Sequence, residues 1–169
     1  MSKELAALLM ERGIYLHEIA QIVYDLQIGF VPDLTLEYCV EVLTGVLEKR
    51  EVQFAVLTGV ALDKLAEAGL LTSPLQEIIQ NDHPLYGIDE VLGLGIANIY
   101  GTIGTTSFGY LDKEKVGVIG RLNCNKVNKV NTFMDDLVAG IAAAAAAKIA
   151  HASISHIGSN LNSKTVPKS

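Results

Sequence analysis

Residues 132–151 read TFMDDLVAGIAAAAAAKIAH, and this stretch decides how the chain folds. Asp135 and Asp136 stand where a helix begins, since carboxylates favour the positive end of a helix dipole. A charge-free run of small apolar residues follows from Leu137 to Ala147, and Lys148 closes it. A membrane-spanning helix needs roughly 20 such residues, so the run is too short to span. It reads as a buried core helix around which other helices pack.

The rest of the chain agrees. Its 169 residues fit one domain that is long enough to bury a core. Hydrophobic residues make up 50% of it, but aromatics only 6% and Trp is absent, so Ala, Val, Ile and Leu must build the interior. That composition favours close-packed helices. Helical spacing predicts helices over 4–12 and 15–27, separated by Gly13. Pro32 and Asp33 open a third, with Asp33 as N-cap and Leu36, Cys39, Val40, Leu43, Val46 and Leu47 as its buried stripe. A fourth covers 51–68 and stops at Gly69, and a short fifth starts at Pro74 and fades near Asn81. The turn NDHP at 81–84 leads into a helix carrying Asp89 and Glu90. GTIGTTSFG at 101–109 reads as a turned loop, either a helix–helix connection or an anion cradle. No β-alternation is visible. The expected fold is all-α: a single-domain multi-helix bundle over 1–151 with a buried C-terminal Ala-rich helix, followed by a flexible tail over 152–169.

A net charge of −6 argues against nucleic-acid binding, which needs a basic surface. Two cysteines, Cys39 and Cys124, are too few for a disulfide framework or a Cys-rich zinc site. The opening MSKELAALLMERG mixes acids and bases and does not read as a signal peptide, so a cytoplasmic protein is expected. Val91 to Leu111 carries no charged residue, but its glycines, threonines and asparagine favour core segments over a membrane span. Residues 112–129 are locally basic, with Lys113, Lys115, Arg121, Lys126 and Lys129 against Asp112 and Glu114. Such a stretch is solvated surface, or the source of cations for a phosphate ligand.

Two strings share one form: DEVLG at 89–93 and DLVAG at 136–140. On a helix, positions i and i+4 share a face, so each Asp stands beside a Gly that permits close approach. Packed face to face, the two helices would bring Asp89 and Asp136 together, flanked by Glu90 and Asp135. Acids crowded in an apolar setting resist ionisation unless a cation neutralises them, and oxygen-only ligand sets suit Mg²⁺, Mn²⁺ or Ca²⁺. The alternative is that each acid pair simply starts a helix. The four histidines show no zinc spacing, although His83 stands close enough in sequence to shape such a site. No P-loop, cysteine-phosphatase loop or nucleophile elbow occurs.

Three ordered motifs give the stretch from Asp82 to Gly140 a family likeness. DHPLYGIDEVLG at 82–93, FGYLDKEK at 108–115 and MDDLVAG at 134–140 resemble the phosphatidylglycerophosphatase A family, particularly its soluble low-temperature-requirement C branch. The resemblance implies a Mg²⁺-dependent (or Mn²⁺-dependent) phosphomonoesterase that converts phosphatidylglycerophosphate to phosphatidylglycerol. Carried over, Asp89, Glu90, Asp135 and Asp136 are metal ligands. Asp112 is a further ligand or positions the attacking water, and Lys115 holds the phosphate. The implied partner is a phosphorylated lipid head group or a small phosphomonoester, met by transient contact at the inner face of the membrane. No nucleic acid is implied. The last helix can pack within the chain or against a second subunit, so a homo-oligomer is also an expectation. Gly109 stands where the family has Arg, Val116 where Pro follows the Lys, and the early Gly-Thr-x-Gly-Ser loop of membrane-bound members has no counterpart at its place. Those departures keep open a second reading, a non-catalytic metal- or partner-binding helical module.

Overall fold

A computed structural model describes residues 2–124 and 129–162. Among them lie nine helices and no strand: α1 Ser2–Glu11, α2 Leu16–Gln27, α3 Leu36–Leu47, α4 Arg50–Glu67, α5 Leu75–Gln80, α6 Ile88–Asn98, α7 Thr102–Glu114, α8 Gly117–Cys124 and α9 Met134–Asn162. The all-α, single-domain expectation holds.

The alanine run explains the architecture. Every residue from Val130 to Ala147 is buried, and α9 packs against α2, α3, α4, α6, α7 and α8. Alanine adds little bulk to the helix cylinder, so several neighbours can approach one axis closely. The surrounding helices add larger core side chains, among them Leu9, Ile19, Leu43, Ile96 and Leu111, to those of Met134, Leu137 and Ile141 on α9. Burying them drives assembly at roughly 25 cal/mol per Å² of apolar surface.

Several boundaries differ from the sequence reading, each for a local reason. Asp33 does not cap α3; Thr35 does, its hydroxyl accepting from Tyr38 N at 3.2 Å. The buried stripe of α3 is accordingly Cys39, Val42, Leu43, Val46 and Leu47, while Leu36 is exposed and Val40 only half-buried. The loop expected at 101–109 is instead most of α7. Gly101, at φ +75°, makes the turn that starts the helix, and Gly104 gives up its side chain so that α7 can lie on the Ala97 carbonyl of α6. Helix α9 continues past the expected end at 151 to Asn162, so 152–162 prolong it; 163–169, the rest of the expected flexible tail, lie outside the described residues, as does Lys126. No helix among the described residues is long and apolar enough to cross a membrane.

The contact that positions the site is the one between α6 and α9. A Cβ on Gly93 would lie 2.5 Å from the Asp136 carbonyl oxygen and 2.7 Å from Phe108 Cε2. One on Gly140 would run into the Gly93 carbonyl. Backbone cannot give way as a flexible side chain can, so Gly93→Ala or Gly140→Ala is expected to cost about 1–3 kcal/mol in stability through overpacking. Gly95, on the same helix, faces open space. There Gly95→Ala is expected to stabilise by about 0.5–1 kcal/mol through helix propensity. Urea denaturation of the three variants checks the contrast, and equal effects at all three positions would contradict the crossing.

Candidate metal centre

The crossing sets two helix starts side by side. Asp89 and Glu90 occupy the first turn of α6, and Asp135 and Asp136 the first turn of α9. One carboxylate oxygen from each of Asp89, Glu90 and Asp136 falls in a group whose members all lie within 4.8 Å of one another. A single cation with oxygen ligands at about 2.0–2.6 Å spans such a group. Asp89 and Asp136 are buried, whereas Glu90 reaches in from the exposed side. Asp89 Oδ1 is buried without a hydrogen-bond partner among the described residues. A buried carboxylate oxygen left so costs about 1–3 kcal/mol or more. An all-oxygen donor set with one orphaned atom fits a hard divalent cation.

Lys115 closes the other side. Its Nζ donates to Asp112 Oδ1 at 2.7 Å, Asp135 Oδ2 at 2.9 Å and Asp136 Oδ1 at 3.2 Å. It is the residue after α7 and caps that helix in the left-handed conformation, φ +49°, which folds its side chain back toward α9. Such a backbone in a non-glycine residue costs of order 1 kcal/mol and is met mainly where function or packing enforces it.

The electrostatics follow from crowding. Burial, and then a hydrogen bond to Glu90, push the Asp89 carboxyl up to about 7. Burial and the neighbouring Asp135 charge push Asp136 up to about 8. Burial raises Asp135 as well, against the opposing pull of Lys115. For Lys115, burial works against the charge, but Asp135, Asp112 and Asp136 outweigh it and hold the amine protonated well above its ordinary range. Half of the cluster is thus neutralised from within by one lysine, and among the described residues the Asp89 side has no such partner.

Asp89, Glu90 and Asp136 therefore come together, and Asp135 and Asp112 join them through Lys115 rather than through the three-carboxylate group. His83 stays exposed, with Nδ1 2.9 Å from the Pro84 carbonyl oxygen.

Beneath the centre lies a network that the sequence reading missed. Asp63 of α4 is fully buried and accepts from Phe133 N at 3.2 and 3.3 Å, capping the start of α9 from another helix. Arg12 donates to the Val130 carbonyl, to Asn131 Oδ1 at 3.1 Å and pairs with Glu67 at 2.8 Å; Glu67 in turn accepts from Val130 N at 2.8 Å. Residues 130–133 are thereby fixed just before Asp135 and Asp136. One signal was available: Asp63 interrupts the apolar face of α4 that runs through Val52, Val56, Val60 and Ala66.

Burial raises Asp63 to about 8, with Phe133 N–H and Arg12 opposing. A carboxyl whose folded value lies above its ordinary 3.8 adds stability that is complete at acid pH and is lost as pH rises through about 8. The metal-free protein is therefore expected to lose thermal stability between pH 4 and pH 8. Asp63→Asn, which keeps an acceptor, should flatten that slope, whereas Asp63→Ala should cost about 1–3 kcal/mol. Melting curves across pH check both, and an unchanged slope in Asp63→Asn would contradict the assignment.

Comparisons with known proteins place the chain in a family. The profile of the family described as Phosphatidylglycerophosphatase A matches residues 7–151, and the chain belongs to that family. It is 53% identical over 144 residues to the uncharacterized protein YpjQ of Bacillus subtilis, covering 85% of this chain and 81% of that protein. Against the uncharacterized protein YutG of the same organism it is 48% identical over 151 residues, covering 89% and 91%. The crystal structure of low temperature requirement C protein from Listeria monocytogenes superposes with a TM-score of 0.86 at 48% identity, covering 90% of this chain and 96% of that one.

Proposed function

We propose that the chain is a divalent-metal-dependent phosphomonoesterase that hydrolyses the terminal phosphate of phosphatidylglycerophosphate, giving phosphatidylglycerol and inorganic phosphate. The observation that carries the reading is the carboxylate group within 4.8 Å, with its orphaned Asp89 oxygen, beside a lysine held protonated. Family membership supports the reaction type.

Asp89, Glu90 and Asp136 would hold Mg²⁺ or Mn²⁺, with Asp135 the adjoining carboxylate. Bound there, the cation supplies Lewis acidity, neutralising phosphoryl charge and lowering the pKa of water. The chain's own groups do the rest. Lys115 exchanges part of its carboxylate contacts for a phosphate oxygen and offsets the charge that develops there. Asp112, whose side chain is 34% exposed beside Lys115, is placed to orient the attacking water and take its proton. As the water oxygen bonds to phosphorus the ester phosphorus–oxygen bond breaks, and the departing lipid oxygen takes up the proton that Asp112 received from the water. Gly109 faces open space on α7, one residue from buried Phe108, and a β-carbon there meets nothing within 4 Å. On this reading the protein is cytoplasmic and works at the inner face of the membrane.

A second reading, a binding module without turnover, draws on one observation: Lys115 already fills part of the site as an internal cation. Phosphate release from phosphatidylglycerophosphate in mixed micelles separates the two. Chelator-sensitive turnover is expected, falling by on the order of 10²-fold or more in Asp136→Asn and Glu90→Gln. Full activity in both variants would show that the site is assigned wrongly. Because Asp89 and Asp136 must each lose a proton to bind a cation, apparent metal affinity should rise with pH through about 7 to 8 and then level off. Gly109→Arg is expected to raise turnover; a folded, metal-binding protein with no turnover in either form would favour the binding module.

A further inference from the structure

The outer side of α6 and α7 is free of charge from Val91 to Leu111. Both helices lay one face on α9, through Gly93, Ile96 and Ala97 of α6 and Gly104, Phe108 and Leu111 of α7. Their opposite faces are exposed. On α6 that face is Ile88, Val91 and Leu94, three residues apart, with Val91 60% exposed. On α7 it is Thr102, Thr106, Gly109 and Tyr110. The chain has 13 Lys and Arg and 19 Asp and Glu, yet none falls between Val91 and Leu111. Just before α6, Leu85 is 100% exposed and sits in the left-handed region at φ +66°. A fully exposed leucine on a strained backbone gains nothing in water from its position.

This apolar edge borders the metal centre. A Cβ on Gly87 would lie 3.7 Å from Glu90 Oε2 and 3.9 Å from the Leu85 carbonyl oxygen, so the turn bearing Leu85 is next to a candidate ligand. The uncharged run lies between Glu90, which is exposed, and Asp112, which is half-buried.

We infer that the outer face of the α6–α7 hairpin, led by Leu85, Ile88 and Val91, docks on the lipid surface that presents the phosphorylated substrate. The inference rests on the phosphatase reading for its substrate. It rests on charge for its occupant. A protein of net charge −6 is repelled least from an anionic bilayer along a stretch without charge, and this face carries none from Val91 to Leu111, its exposed charges Glu90, Lys113 and Glu114 lying at the two ends. Inserted among acyl chains, the three side chains give up no ionic hydration, and the carboxylate centre beside them meets the headgroup level, where a lipid phosphate lies. A second copy is the weaker occupant: a stable dimer needs about 800 Å² per partner, and the large apolar side chains exposed on this face are few, namely Leu85, Ile88, Val91, Leu94 and Tyr110.

Co-sedimentation with phosphatidylcholine vesicles containing a minor share of phosphatidylglycerol tests the inference. It is run on the full chain with chelator present, so it needs neither metal nor turnover. Leu85→Asn keeps a residue that tolerates left-handed backbone, and Val91→Gln keeps a helix former. The double variant should melt as the parent does, yet its vesicle partition should fall about tenfold or more. Phe30→Ser, an exposed apolar residue outside the hairpin, should leave partition unchanged. If turnover is present, the double variant should lose it on vesicle-borne lipid and keep it on a water-soluble phosphomonoester. A parent protein that does not sediment, or a double variant that sediments equally, would overturn the inference. So would a parent that is dimeric by analytical ultracentrifugation and becomes monomeric in the double variant, since the face would then join two chains. Vesicle binding without turnover on any phosphomonoester would uphold docking and sink the phosphatase reading alone.

Discussion

The backbone contact between Gly93 and Gly140 is the constraint on which the rest of the structure depends. Two helices that touch through glycine come closer than any side chain would allow, and each carries an aspartate one turn before its glycine. The carboxylates of Asp89 and Asp136 are thereby set near each other at two helix N-termini, where the dipoles favour negative charge but cannot fully offset mutual repulsion. A bulkier pair at the crossing would part the helices and scatter the ligands.

That closeness creates an electrostatic debt that the protein settles unevenly. Lys115, Asp112, Asp135 and Asp136 form a partly neutralised half, and Lys115 holds its place through a left-handed helix cap. The half around Asp89 and Glu90 keeps a buried oxygen without a partner among the described residues. Buried carboxylates this close are expensive in any fold, so a structure that keeps them and anchors the start of α9 from below, through Asp63 and Arg12, invests its stability in the site. The alanine helix supplies the rigid floor.

Much of this was legible in the sequence, and the reasons are physical. The alanine run and the scarcity of aromatics carry a strong signal, so the all-α bundle could be read directly, while the i to i+4 pairing of Asp with Gly left the meeting of the two acid-bearing helices as one of two readings, the other being a plain helix start. GTIGTTSFG misled because glycine permits a turn and also permits close helix packing; only the presence of α6 beneath Gly104 decides between them. Asp33 lost the cap of α3 to Thr35 because both are good cappers two residues apart, and tertiary packing chose the phase. Asp63 escaped notice because capping the start of α9 from α4 joins residues 70 apart, which no local pattern encodes. The split of the acids into a lysine-bound half and a cation-ready half was equally invisible, since it turns on side-chain direction.

The most direct test of the carboxylate centre is anomalous diffraction from crystals of this protein soaked in Mn²⁺. The account predicts a single strong peak within bonding distance of oxygens from Asp89, Glu90 and Asp136, with Lys115 still beside Asp135. No peak there at saturating Mn²⁺ and pH above 8, or a peak elsewhere with these three carboxylates unchanged, would contradict it.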